Sequence, residues 1–444
     1  MTKTYVCPTI AEIRADVASG KTRAAEFVAQ GFAAAQASQS TLHAFQYLPD
    51  ALPVTHVDEN LPLAGVSVAV KDIIDTADMP TEFNSPAYVG RRPAQDATVV
   101  ARLRAAGATI LGKSVTTEFA FRHPGQTVNP WNSAYTPGGS SSGSAAAVGA
   151  GIVSLALGTQ TQGSVIRPAA YCGVVGFKPT YGTIARTGVL PLAWSLDHVG
   201  LFTRSVADAA YVLKLVAGAG PDDPHASHVP LASTVAAGRR IGMLVRQVGG
   251  AVEPAQQAAL DALAERLSRD GAEIVMVDLP AEIFDTPAHA LTLMGVEAAI
   301  THGDLYRRSP ELISAPMRGL IEEGLRCAAT DYAKAKVLQG RMAHRFDAWL
   351  RKTMTLDALL VAPANGEPPH GLDSTGDASF CAPWTFLGVP AVTVPMSFGP
   401  AGLPLGAQIV GAAGSDAALL DLAEWIEART NWASRVSTTN DTGA

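Results

Sequence analysis

Charge is scarce in this chain of 444 residues. Asp, Glu, Lys and Arg together make up 16%, against about 25% in a typical soluble domain. With 48% apolar residues, this composition excludes intrinsic disorder, which needs low hydrophobicity and high charge. The balance of 33 basic and 40 acidic residues leaves a net charge of −7. A mildly acidic chain has no electrostatic footprint for phosphate, so no nucleic-acid partner is expected. Cysteine is scarce too. Cys7, Cys172, Cys327 and Cys381 are far apart, with no Cys-x-x-Cys pair. That fits reduced thiols in the cytoplasm better than a disulfide or zinc framework. Long apolar runs are missing as well. The stretch from Ser144 to Gly158 is short and broken by Gly149, Gly151 and Ser154, so no membrane span is expected. Residues 1–10 show no basic region followed by an apolar one, so no signal peptide is expected and the location reads as cytoplasmic.

The shortage of charge is uneven. From Pro124 to Ile166 there is no Asp, Glu, Lys or Arg; Arg167 then stands alone until Lys178. Composition by itself favours a buried core segment here. The sharper reading is a dry site built around one cation. The length admits roughly two or three domains, or one large α/β domain.

Local patterns alternate between the two kinds of element. Thr9 can cap a helix from Ile10 to Ser19, and Thr22 a second through about Ala37, with Gly20 between them. The continuous apolar run Val66 to Val70 reads as a buried strand. Helix is expected at Thr98–Ala106 and Ser144–Gly149, and strand at Ala108–Leu111 and Ile152–Leu157. Further on come strands at Arg240–Leu244, Glu273–Val277, Ala358–Val361 and Ala391–Val394. Helices are expected at Pro254–Arg269, Ala290–Arg308, Glu311–Leu325, Tyr332–Leu350 and Ala417–Ala428. Strands alternating with helices imply an α/β fold with a mostly parallel sheet.

Three motifs compete for the chemistry. Gly107 to Ser114 fits the P-loop pattern letter for letter, with Gly112-Lys113-Ser114 at its end. A P-loop needs a strand before it and a helix after it, whereas here a helix precedes and the middle residues suit a strand. Gly139 to Gly143 contains a Gly-x-Ser-x-Gly, the spacing of a nucleophile elbow. A Pro-Gly-Gly loop precedes it, and the downstream histidines His198, His225, His289 and His370 sit in no clear motif. The third is a constellation: Lys71 after the first buried strand, the loop Gly138 to Ser144, and Thr161-Gln162-Gly163-Ser164. Each of these taken alone reads as a solvent-facing lysine, a tight connection or a turn serine.

Together they carry a resemblance. The stretches are Pro137-Gly138-Gly139-Ser140-Ser141-Ser142-Gly143-Ser144, then Leu157-Gly158-Thr159-Gln160-Thr161-Gln162-Gly163-Ser164-Val165-Ile166-Arg167-Pro168. The chain resembles the amidase signature family, whose Gly/Ser loop, Thr-x-Gly-Ser motif and following Pro they match, and whose Lys–Ser–Ser spacing also holds. The likeness continues through Ala64 to Pro80, Tyr171 to Thr180, Ser195-Leu196-Asp197-His198 and Ser374 to Asp377. Within the family it is most similar to malonamidase-type small-amide hydrolases.

The resemblance implies an α/β/α sandwich with a central mixed, mostly parallel sheet covered by helices. Residues 1–60 would be a helical segment packed on a single catalytic domain of residues 61–444. It implies Ser164 as nucleophile, Ser140 as a bridging serine held by a cis peptide, and Lys71 as base. The backbone N–H groups of Gln162, Gly163 and Ser164, with Thr161 as a fourth candidate, would hold the oxyanion. Arg167, Gly139 and Ser141 would contact substrate, Arg167 through a substrate carboxylate or else as a structural cation. No metal or organic cofactor is implied. Partners would be a small amide or carbamate and water, with a homodimer left open. The chemistry is sound on the residues alone. A serine needs a base within reach, and burial in a charge-poor site deprotonates a lysine. A nearby Asp72 or Asp75 would oppose that, although a strand running through Asp72 turns it to the other face. The family often has Asp where this chain has Gln160 and Gly where it has Gln162. Asp197 and His198 resemble a structural motif and receive no catalytic role. Specificity is expected from residues 290–350 and from loops near Phe380 to Trp384. The expected reaction is hydrolysis of small linear amides through an acyl-enzyme. The alternatives are carbamate or aryl-amide hydrolysis, and a glutamine-dependent amidotransferase subunit.

Overall fold

The computed structural model describes residues 6–52, 58–226, 239–430 and 432. Among them eleven strands join one sheet: β1 (Phe45–Tyr47), β2 (Ser67–Lys71), β3 (Thr109–Ser114), β4 (Leu155–Gln160), β5 (Val175–Lys178), β6 (His198–Thr203), β7 (Arg239–Leu244), β8 (Ala272–Val277), β9 (Ala358–Val361), β10 (Ala391–Phe398) and β11 (Pro404–Val410). Their order is β1-β3-β2-β4-β6-β5-β10-β11-β9-β7-β8. Alternation along the strands splits the core in two. Val68 and Val70 of β2, with Leu155 and Leu157 of β4, join the larger cluster with Leu103 and Val212 of helices Thr98–Ala105 and Val206–Val216. Ala69 and Ala156 join a second cluster on the other face, with Phe32 and Ala145 to Val148 of helices Ala24–Leu42 and Ser142–Gly149. This is the expected mixed sheet with helices on both sides.

Its strand directions correct one expectation. Pairs β2–β3, β2–β4, β7–β8 and β7–β9 are parallel. Pairs β1–β3, β4–β6, β5–β6, β5–β10, β10–β11 and β9–β11 are antiparallel. The sheet is therefore not mostly parallel. Strands β5, β6 and β11 lie buried on both faces, so they show no alternation to betray them. Without them, the remaining helix–strand alternation suggests crossovers. The helix Ile166–Cys172 is hidden in the same motif-rich stretch.

Several boundaries move. Thr9 caps the first helix as expected, and the structure adds a capping box with Glu12. The second helix begins at Ala24 with Arg23, not Thr22, at its N-cap, and runs on to Leu42. The strand expected at Ile152–Leu157 is β4, three residues later. The helix expected from Glu311 is Ala315–Arg326. Within residues 1–60, β1 joins the sheet at its edge against β3.

The strand context that argues against a P-loop is borne out. Gly112, Lys113 and Ser114 all lie inside β3, fully buried, where no loop can wrap a phosphate. Lys113 Nζ donates to the Ile74 carbonyl at 2.7 Å and to Thr81 Oγ1, and it lies 3.5 Å from Asp72. Removing one partner of a buried ion pair typically costs about 3–5 kcal/mol. Lys113→Ala is therefore expected to lower the unfolding free energy by roughly that amount in urea titration, and calorimetry is expected to detect no ATP binding to the wild-type chain.

Candidate active site

Parity along β2 decides where Lys71 goes. It shares a face with Ala69, the face covered by helix Ser142–Gly149. That helix lies against the strand ends because position 143 is glycine. A Cβ there would sit 2.1 Å from the Ala44 carbonyl and 2.4 Å from the Val115 nitrogen. The loop entering this helix carries Ser140 behind a cis Gly139–Ser140 peptide bond. Lys71 Nζ lies 2.7 Å from Ser140 Oγ, and donates to Thr159 Oγ1 at 2.9 Å. Lys71 is completely buried. Burial holds its pKa well below the ordinary lysine range, opposed by the charge of Asp197. The two carboxylates nearest in sequence are engaged elsewhere: Asp72 with Lys113, and Asp75 with Arg91 at 2.7 Å.

Strand β4 ends at Gln160, and the chain then turns through Thr161 to Val165 into helix Ile166–Cys172. Gln160 Oε1 accepts from the Val165 and Ile166 nitrogens at 2.8 and 3.0 Å. Its Nε2 donates to Thr385 Oγ1, and Thr385 in turn donates to the Gln162 carbonyl at 2.6 Å. A glutamine thus does the helix-capping work of a carboxylate and adds a donor that an aspartate lacks. Among the described residues, the N–H groups of Gln162, Gly163 and Ser164 have no acceptor. Ser140, Thr161, Gln162, Ser164 and Arg167 all line one cavity of about 530 Å³. No hydrogen bond joins the hydroxyls of Ser140 and Ser164. Such contacts often tighten only around bound substrate.

Comparison with known proteins places this arrangement. A model of the amidase family matches residues 24–420.

The chain belongs to the amidase signature family.

With that membership goes its reaction class, chemistry at carbon–nitrogen bonds. The chain is 34% identical to the A subunit of the glutamyl-tRNA(Gln) amidotransferase of Rhodopirellula baltica, over 90% of this chain and 91% of that one. Among solved structures it is similar to 6-aminohexanoate cyclic dimer hydrolase, with a TM-score of 0.87, 26% identity, and coverage of 98% and 99%. It is also similar to the native peptide amidase of Stenotrophomonas maltophilia, with a TM-score of 0.80, 29% identity, and coverage of 95% and 97%.

In this amidase-family chain Arg167 is buried at the cavity wall. Its Nη2 donates to the Gly139 carbonyl at 2.6 Å and to Thr375 Oγ1 at 3.2 Å, while Nε and Nη1 have no partner among the described residues. Gly139 does not line the cavity, and its carbonyl accepts from Arg167. Ser141 does not line the cavity; it is fully buried, donates to the Thr159 carbonyl at 3.2 Å and accepts from the Thr159 nitrogen. That geometry also removes the nucleophile-elbow reading, since Ser141 has no histidine partner among the described residues and no access. Apolar residues also line the cavity: Pro287, Leu291 and Met294 from helix Thr286–Arg308, and Pro316. Residues 373–379 close another side. Part of the segment expected to set specificity is thus at the cavity. Sequence reasoning misses Thr159, Thr385 and Asp197 as site residues; Thr159 and Asp197 lie in stretches with a visible signal, Leu157 to Pro168 and Ser195 to His198, and Thr385 does not. Among the described residues, no helix is long and apolar enough to cross a membrane.

Proposed function

We propose that the chain cleaves small amides by acylation of Ser164. The carrying observation is the dry 2.7 Å contact between Lys71 and Ser140, at a cavity that Ser140 shares with Ser164. Neutral Lys71 accepts the Ser140 proton as Ser140 accepts that of Ser164, whose oxygen attacks the amide carbon. The N–H groups of Gln162, Gly163 and Ser164 receive the oxyanion; each such donor is typically worth about 3–4 kcal/mol. The proton returns along the same path to the leaving amine. Water then enters by that route and hydrolyses the acyl-enzyme.

Arg167 gives the substrate a further property. Two unpartnered guanidinium nitrogens, buried at the cavity wall, suit a substrate carboxylate. The proposed substrate is a small amide that carries one, such as a monoamide of a diacid or free glutamine. Arg167→Ala is expected to lower kcat/KM for carboxylate-bearing amides roughly a hundredfold more than for neutral ones, in line with the about 2–5 kcal/mol cost of removing one partner of a buried charge pair. Equal losses for both kinds would make Arg167 structural.

A second reading has its own support. The similarity to the amidotransferase polypeptide spans nine-tenths of both chains, so the ammonia released from an amide donor would pass to a second protein. The net charge of −7 does not oppose this, because an ammonia-producing chain need not itself touch RNA. A panel of glutamine, malonamate, aliphatic amides, anilides and carbamates separates the readings when ammonia or amine release is followed. Rapid turnover of one class by the isolated chain supports the hydrolase. Slow glutamine cleavage that a co-purifying partner accelerates supports the amidotransferase.

A further inference from the structure

We infer that Asp197 is a positioning residue, one that anchors the oxyanion loop through Thr161 and supplies the counter-charge for Lys71 when it takes up a proton. This rests on the proposed Ser164 chemistry. The sheet register makes the encounter. Gln160, the last residue of β4, pairs with His198, the first of β6. In an antiparallel pair the next residues outward, Thr161 and Asp197, must then face each other. Thr161 Oγ1 donates to Asp197 Oδ1 at 2.6 Å. Asp197 Oδ2 accepts from the Leu192 and Ala193 nitrogens at 2.9 and 3.0 Å. Both carboxylate oxygens are therefore used, and both anchored segments reach the cavity, at Thr161 and Leu192. One buried side chain ties two walls of the site together.

The charge of Asp197 has a second use. Moving the Ser140 proton onto Lys71 creates an ammonium in a site without solvent, and an unpaired buried charge is costly. Lys71 donates to Thr159 Oγ1, and Thr159, Thr161 and Asp197 line one small pocket, so the Asp197 carboxylate lies close enough for its charge to favour the protonated amine. Asp72 and Asp75 are already engaged by Lys113 and Arg91. The other ionisable groups whose charge reaches Asp197 are Arg186, whose guanidinium is paired with Asp223 at 3.0 Å, and Glu297 of helix Thr286–Arg308. Tyr181 feels the charge of Asp197 as well. Burial pushes the Asp197 carboxyl up to about 6, against the pull of Thr161, Arg186 and the Ala193 nitrogen. It is thus mainly ionised at neutral pH.

Three variants test the assignment, each assayed for steady-state kinetics across pH and for labelling of Ser164 by an acylating inhibitor. Thr161→Val removes the donor and leaves the charge. It is expected to lower kcat roughly 10–100-fold, the scale of a small misplacement of catalytic groups. Thr161→Ser keeps the hydroxyl and is expected to recover most of the loss. Asp197→Asn removes the charge, which favours neutral Lys71, so its acidic limb is expected to shift to lower pH as kcat falls. Wild-type kcat in Thr161→Val would overturn the anchoring role. An unmoved limb in Asp197→Asn would overturn the electrostatic one. Should Asp197→Asn fail to fold, the Thr161 pair decides by itself: a loss in Val that Ser restores supports the assignment, and any other pattern contradicts it. Labelling keeps the two levels apart, since absence of label on Ser164 in the wild-type chain sinks the underlying chemistry and not this assignment.

Discussion

Lys71→Met is expected to lower kcat/KM for every accepted amide by about 10²–10⁴-fold, the usual contribution of a positioned general base. The cause is local. Lys71 is wholly buried and meets Ser140 at 2.7 Å, so no other amine can take its place. The pH profile carries a second signature. In the wild-type chain activity is expected to rise with pH as Lys71 loses its proton, and burial should place that rise below the ordinary lysine range. A third signature is stability. The folded-state pKa of Lys71 lies below its unfolded value, so between the two the unfolded chain binds a proton that the folded chain lacks. Stability therefore rises with pH across that window and is fully restored only above the unfolded pKa. Met at position 71 removes this contribution, so urea midpoints measured at neutral and alkaline pH should lie closer together than in the wild type. A variant that loses activity and keeps the wild-type slope would show that Lys71 is protonated in the folded chain, and so no base.

Ser164→Ala is expected to reduce turnover by on the order of 10⁴-fold or more, since removal of a nucleophile leaves only binding and oxyanion stabilisation. Ser164 is nearly buried at the cavity wall, and its hydroxyl makes no hydrogen bond among the described residues. The fold loses little with it, so the change in unfolding free energy is expected to stay within about 0.5 kcal/mol. Full activity with Ala at position 164 would exclude the acyl-enzyme. A loss of activity that tracks a loss of fold would leave Ser164 as scaffold.

Much of the site is legible in the sequence because its residues sit beside strong local signals. Lys71 ends an apolar run, Ser140 lies in a Gly/Ser loop opening a small-residue helix, and Ser164 follows a second apolar strand. The same charge-free stretch that holds both serines proves to be buried around them. What could not be read there depends on pairing. The meeting of Thr161 with Asp197 follows from the β4–β6 register, and nothing within either segment announces that these strands are neighbours. Thr385 reaches Gln160 across 225 positions, and Leu291 and Met294 face the cavity by the docking of a whole helix. The strand directions failed for the same reason. Gly176 and Gly200 interrupt β5 and β6, and strands covered on both faces lose the alternation that marks an antiparallel sheet. Lys113 shows the value of context. Its motif matches a phosphate loop letter for letter, and the strand character of the surrounding residues, legible in the sequence, marks the match as accidental.

The most direct measurement is mass spectrometry of the chain quenched during turnover of an accepted amide, with the adduct mapped by peptide sequencing. The expected result is a mass increase equal to the acyl group, located on Ser164 and absent from Ser164→Ala. An adduct on Ser140, Ser141 or any other residue, or rapid turnover with no adduct under conditions that trap acyl-enzymes, would contradict the Lys71–Ser140–Ser164 relay.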